Sequence, residues 1–281
     1  MVLNSESLKA KINNMAKKYN VMPQDLMQMY FFERLLYRIS ISPYKHNFIL
    51  KGGLLLSALF GNNRRTTQDM DTMIKGIDIN SEELITAINE IINIDANDGI
   101  TFTLLNSKDI RKEDRYGGIR LSLIAVKQHL NVNLKIDITT KDPITPREID
   151  FKYKSMFDDS YIKIMAFTKE TIIAEKFETL MEDTESDTRA KDFYDMYMLM
   201  NESINTNTLK KALVSTFKRR NKEYILDELE ERFELISHSK ILENYWQNYQ
   251  KSHIYSQSIS YDEIMNTIKK IIEITKIAVE S

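Results

Sequence analysis

Asp69 and Asp71 stand two residues apart in the run Arg65-Thr66-Thr67-Gln68-Asp69-Met70-Asp71, and a third carboxylate, Asp137, lies inside the strand-like run 132–138. On an extended chain, side chains two apart share a face. Carboxylates held side by side repel each other unless positive charge lies between them. Divalent metal, read as Mg²⁺, bound together with phosphate supplies that charge. Asp137 is the natural third ligand, because it points off the apolar side of its own strand. Upstream, Gly52-Gly53 runs into the apolar stretch 54–60. Glycines let a ligand approach the backbone, and the amides at a helix N-terminus attract phosphate oxygens. Phosphoryl or nucleotidyl transfer needs these parts: a cradle for the triphosphate, neutralisation of its charge, and alignment of the attacking hydroxyl.

A basic component lies downstream. In 171–181, Ile173, Phe177, Leu180 and Met181 form one helical stripe, and Lys176 sits at its edge, where it wants an anion. In the next segment Arg189, Asp192 and Met196 fall at spacings of three and four. Each of these features has a plainer reading. The two aspartates could be a solvated strand end, and Gly52-Gly53 an ordinary turn. Lys176 could pair with Glu175 or Glu182, and Asp192 with Arg189. Asp195, one turn beyond Asp192, reads as structural. Arg65 could contact phosphate, or with Arg64 form only a basic loop. The basic run 218–222 reads as a solvated helix end that satisfies the C-terminal dipole, with RNA contact as the alternative. Tyr245, Trp246 and Tyr249 read as core, and the histidines show no metal-ligand spacing.

The elements that must position these residues follow from periodicity. Helices are expected over 4–18 and, from Pro23, over 23–39. Strands are expected at 47–50, 70–74, 100–105, 119–126, 132–138 and 161–166, with a helix capped by Ser81 among them. In 132–138 Val132, Leu134, Ile136 and Ile138 face one way, and Asn133, Lys135 and Asp137 the other. From residue 168 onward the pattern is helical: 171–181, 190–200, 208–217, 224–236, 241–249 and 261–279. An α+β half followed by an all-helical half predicts two domains, divided as 1–160 and 161–281.

Composition sets the outer bounds. The chain has 281 residues, 42 % apolar and 28 % charged, with a formal net charge of -2. That balance argues against a generic polyanion-coating protein. There is no cysteine, which excludes disulfides and thiolate metal sites. No stretch is long and apolar enough for a membrane span, and no secretory pattern opens the chain, so the cytoplasm is the expected location.

Taken together, Leu50-Lys51-Gly52-Gly53-Leu54, Arg65 to Asp71, Ala174-Glu175-Lys176 and Arg189-Ala190-Lys191-Asp192-Phe193-Tyr194-Asp195 resemble the AbiEii-type nucleotidyltransferase toxins of type IV toxin–antitoxin and phage abortive-infection systems. The resemblance covers roughly residues 20–200. It implies a DNA polymerase β-like nucleotidyltransferase domain with a mixed sheet, followed by an all-helical C-terminal domain. It implies transfer of a nucleotide from a nucleoside triphosphate, GTP or another, onto RNA such as tRNA, assisted by two Mg²⁺. By the resemblance, Asp69 and Asp71 are the metal-binding pair, Lys176 is the lysine at the triphosphate, and Asp192 is the downstream acidic residue needed for activity. Gly52, Gly53, Arg65 and Thr67 fall at the nucleotide. Many nucleotidyltransferases have Gly-Ser where this chain has Gly52-Gly53; the backbone, Ser57 or Thr67 must stand in for that hydroxyl. A cognate antitoxin encoded nearby is the implied partner. Two other readings stay open: a GTP-binding module that signals through protein contacts without transfer, and a metal-dependent nuclease or phosphohydrolase.

Overall fold

The computed structural model describes residues 3–61, 65–110, 117–182 and 189–276. Arg64 and the side chain of Arg189, both weighed above, lie outside the described residues. The chain divides into two compact units: residues 1–141 with 148–166, and residues 142–147 with 167–281.

The first unit runs α1 (Ser5–Tyr19), α2 (Pro23–Ile41), β1 (Phe48–Lys51), α3 (Gly52–Phe60), β2 (Asp69–Ile74), α4 (Glu82–Ile92), β3 (Thr101–Ile110), β4 (Gly118–Lys127), β5 (Leu130–Thr140), β6 (Ile149–Lys154) and β7 (Tyr161–Ala166). Local chemistry sets the helix ends. The Asn4 side chain accepts from the Ser7 N–H to open α1, and Asn20, left-handed at φ 51°, closes it. Pro23 occupies the first turn of α2, where its missing N–H costs nothing. Ser81 accepts from the Leu84 N–H at the start of α4.

The strands form one seven-stranded mixed sheet in the order β3-β4-β5-β2-β1-β7-β6. β2 pairs parallel with β5 and antiparallel with β1, and β1 pairs parallel with β7. Helices α2 and α4 bring Leu35, Ile39, Ile88 and Ile91 against Phe48, Met70, Leu123 and Ile136 of the sheet. Because side chains alternate along a strand, Asp69, Asp71, Asp137 and Arg120 emerge on the other face. β6, which periodicity did not anticipate, is an edge strand whose Asp150, Lys152 and Lys154 are exposed, so only Tyr153 is fully buried and no apolar run marks it.

Two acids, half-buried Asp98 and fully buried Glu33, tie α2 to the sheet's periphery. Arg38, 1 % exposed, grips both oxygens of Asp98 at 2.9 Å and also donates to the Ile100 carbonyl at 2.8 Å. Burial works against the Asp98 charge, but these arginine bonds hold its carboxyl below the usual range. Glu33, 2 % exposed, accepts from the Met156 N–H at 2.7 Å and from Ser155 at 3.1 Å. Here burial wins and pushes the carboxyl up to about 7.

The second unit is helical: α5 (Lys169–Glu182), α6 (Arg189–Met200), α7 (Thr206–Arg219), α8 (Leu229–Ser237), α9 (Lys240–Ser252) and α10 (Tyr261–Lys276). The helix expected over 224–236 is instead a 3₁₀ turn, Glu223–Leu226, followed by α8. Phe177 meets Phe217 edge-on at 6.3 Å, and Phe193 meets Tyr261 at 6.2 Å. Trp246, 1 % exposed, donates to the Ile259 carbonyl, so it is core as expected. The basic run at the end of α7 departs from its sequence reading. Arg220 bonds Glu178, and Lys222 pairs with Glu178 and Glu182. Glu178 is fully buried within the apolar stripe of α5, so its charge needs these cations.

Glu33 makes stability depend on pH. Its carboxyl binds a proton more tightly folded than unfolded, so its contribution is greatest below pH 4.5 and is lost as pH rises through about 7. Glu33→Gln should flatten stability measured by denaturant titration between pH 4.5 and 7, removing a slope worth at most on the order of 3 kcal/mol.

Candidate active site

The register of the sheet gathers the acidic residues. β2 against β5 sets Asp71 beside Asp137 and Asp69 beside Lys135. β1 sets Lys51 opposite Asp71, and β4 sets Arg120 opposite Asp137. Directly opposed side chains on one face lie within about 5.5 Å at Cβ. Burial raises the Asp69 carboxyl above its ordinary range, and the charges of Asp71 and Asp137 raise it further; Arg120 and Lys135 oppose them. Asp137 is engaged by a residue that the sequence reading passed over. Arg120 Nε and Nη2 each donate to one Asp137 oxygen at 2.6 Å. Arg120 is also attracted by Asp69 and Asp71. The signal was present: β4 and β5 are joined by the two residues Gln128-His129, and counting back from that turn puts Arg120 opposite Asp137. No Gly or Asn marks the turn, although Gln128 is left-handed at φ 54°.

Both glycines are explained by what presses on them. Gly52 has φ +63°, and a Cβ there would lie 2.0 Å from Asp71 Oδ2. A Cβ on Gly53 would lie 2.5 Å from Thr67 Oγ1 and 3.4 Å from Arg65 Nη2. The start of α3 therefore abuts the carboxylate pair and the 65–67 segment. Lys51, the residue before it, makes no side-chain capping hydrogen bond to α3. Of the groups proposed to replace the missing serine hydroxyl, Ser57 is engaged: it is fully buried and donates to the Gly53 carbonyl at 2.9 Å. Thr67 Oγ1 is engaged too, donating to the Asp69 carbonyl at 3.1 Å, and lies against the spot where a side chain on residue 53 would begin. Arg65, 2 % exposed, folds inward and donates to the Thr66 carbonyl, so it is not a solvated basic loop. Asp25 of α2 anchors the segment, accepting from Thr66 at 3.1 Å and Gln68 at 2.9 Å.

Lys176 and Asp192 belong to the second unit, where they meet each other. Lys176 Nζ lies 2.6 Å from Asp192 Oδ1 and 2.8 Å from Asp195 Oδ2. Of the partners weighed for Lys176, Glu182 pairs with Lys222 instead. Asp195 is fully buried, in keeping with a structural reading.

Among the described residues, no three His, Cys, Asp or Glu side chains are set as a ready metal-ligand group. The donor chemistry nevertheless suits a hard divalent cation. Asp69, Asp71 and Asp137 are adjacent all-oxygen ligands under mutual repulsion, and a guanidinium, that of Arg120, already pairs with Asp137.

Two substitutions test this geometry. Gly52→Ala should destabilise the protein by about 2–3 kcal/mol in denaturant titration, through the left-handed backbone and overlap with Asp71. Asp69→Asn should raise Tm by about 1–3 °C at pH 7, because the folded state disfavours the Asp69 charge and the neutral amide relieves it.

No curated protein matches the chain. Among solved structures, an H. pylori protein described as a nucleotidyltransferase shares 16% identity at TM-score 0.48, covering 91% of this chain and 98% of that chain. JHP933 from Helicobacter pylori shares 17% at TM-score 0.47, over 90% of this chain and 94% of its own. ANT(2")-Ia in complex with adenylyl-2"-tobramycin shares 13% at TM-score 0.38, over 70% and 99%. The model of the nucleotidyl transferase AbiEii toxin family, type IV toxin–antitoxin system, matches residues 34–267. With that match spanning the site-bearing strands and most of the helical unit, the chain belongs to the AbiEii nucleotidyl transferase toxins of type IV toxin–antitoxin systems.

Proposed function

We propose that this toxin transfers a nucleotide from a nucleoside triphosphate to an RNA acceptor, with tRNA as the substrate class, in a divalent-metal-dependent reaction that serves phage abortive infection in the cytoplasm. The observation that carries this reading is the pressing of Gly52 onto Asp71, which in turn pairs in register with Asp137. The first-turn amides of a helix, an anion-binding element, thus adjoin a carboxylate cluster, a cation-binding element. A metal–triphosphate complex satisfies both at once.

Two Mg²⁺ would supply neutralisation of the triphosphate and polarisation of the acceptor oxygen. Asp69, Asp71 and Asp137 are the residues assigned to hold them. The backbone amides of Gly52 and Gly53, the Thr67 hydroxyl and the Arg65 guanidinium are assigned to the phosphate oxygens. Lys176 is assigned to the triphosphate as well. Asp192 is assigned as the base that accepts the acceptor hydroxyl's proton while that oxygen attacks the α-phosphorus and pyrophosphate leaves. Its bond to Lys176, at 2.6 Å, fixes the orientation of the carboxylate. The family's toxin–antitoxin character implies a cognate antitoxin.

The test is a gel of total RNA treated with the protein and each of the four labelled nucleoside triphosphates in turn. Label should enter tRNA-sized RNA with one preferred nucleotide and vanish in chelator. Asp69→Ala should lower incorporation at least about 100-fold and abolish growth inhibition, with folding preserved by circular dichroism; Lys176→Ala should do the same to activity but also lower Tm, because it takes a cation from buried Asp195. Bound nucleotide without labelled RNA would favour the GTP-binding module, and shortened RNA a nuclease; either would overturn transfer.

A further inference from the structure

Arg120 is a charged group at the carboxylate cluster to which no role is assigned, and it grips Asp137 directly. It projects from β4 onto the same sheet face as Asp69, Asp71 and Asp137, directly opposite Asp137. Its side-on grip takes one hydrogen bond to each Asp137 oxygen, both at 2.6 Å. Such a two-point contact fills the in-plane approach that a chelated cation would use. Asp137 is 12 % exposed at its side chain while Arg120 is 40 % exposed, so the carboxylate is fixed and the guanidinium has solvent to move into. Arg120 is a single charge that also faces Asp69 and Asp71, whereas a divalent ion brings twice that charge to the same oxygens.

We propose that Arg120 is a built-in competitor of the divalent cation: guanidinium and ion exchange at the Asp137 carboxylate, so that Arg120 sets the ion concentration at which the site fills. It is a positioning residue that acts through Asp137. The proposal rests on the assignment of Asp137 to the metal. Two forces point the same way. The arginine grip must be released before the ion can chelate Asp137, and the arginine's charge repels the incoming ion. A guanidinium that served only to orient a metal ligand from behind would have the opposite effect, since removing such a partner weakens metal binding.

The experiment is Mn²⁺ titration of the full chain without nucleotide, read by electron paramagnetic resonance, with thermal unfolding in chelator and in Mn²⁺ alongside. Arg120→Gln removes both charge and grip and should bind Mn²⁺ on the order of tenfold more tightly than the wild type. Arg120→Lys keeps the charge but loses the two-point grip, and should bind severalfold more tightly; it also decides the matter if Arg120→Gln does not fold. The rise in Tm on adding Mn²⁺ should be larger in both variants than in the wild type. Asp71→Asn should abolish the binding, which identifies the probe's site. Equal or weaker Mn²⁺ binding by either folded variant overturns the competitor role and leaves the metal reading intact. Absence of Mn²⁺ binding by the wild type overturns the metal reading, and the competitor role with it.

Discussion

Mutual repulsion among the carboxylates of Asp69, Asp71 and Asp137 is the constraint around which the first unit is arranged. The parallel pairing of β2 with β5 forces Asp71 and Asp137 into neighbouring positions. Folding the sheet therefore brings like charges together on one face, a cost that a purely structural strand would avoid by placing a neutral residue there. Arg120 meets part of that cost, and Lys135, in register with Asp69, meets another part. The opposite face carries the compensating hydrophobic contact with α2 and α4. A sheet anchored so firmly on one side can hold strained electrostatics on the other.

The glycine step works within the same constraint. Gly52 and Gly53 are small because Asp71, Thr67 and Arg65 already occupy the space where their side chains would lie. The start of α3 can thus bring backbone amides close to the acidic cluster, so a pole that attracts anions adjoins one that attracts cations. Thr67 Oγ1 lies against the spot where a side chain on residue 53 would begin and donates to the Asp69 carbonyl, so the 65–67 segment and the start of α3 are packed without room for a larger residue.

The second unit follows a similar electrostatic logic with the signs rearranged. Its apolar helices bury Glu178 and Asp195 outright, and each is met by lysine or arginine from another helix or its end. Removing one partner from such a pair is costly, whereas the intact pair contributes little net stability. Their value lies in fixing which helix faces meet. Lys176, shared between buried Asp195 and partly exposed Asp192, joins this structural network to a residue assigned to chemistry.

Much of the frame and most of the candidate residues were legible from the chain alone. Alternation in 132–138 located Asp137 on the face opposite the apolar one, since period two is a local property of extended backbone. Pro23 and Ser81 marked helix starts for equally local reasons. The Gly-Gly and Asp-x-Asp patterns marked where bare backbone meets paired charges, because both are local features of the chain. Tertiary structure decided everything that depends on register. That Asp71 lies beside Asp137, that Arg120 clasps Asp137, and that Arg220 and Lys222 turn inward to Glu178 are outcomes of pairing between segments distant in sequence. β6 escaped notice because an edge strand buries only one residue and leaves no periodic trace. Local propensity is written in neighbours along the chain, but charge pairing is settled only when strands and helices choose their partners.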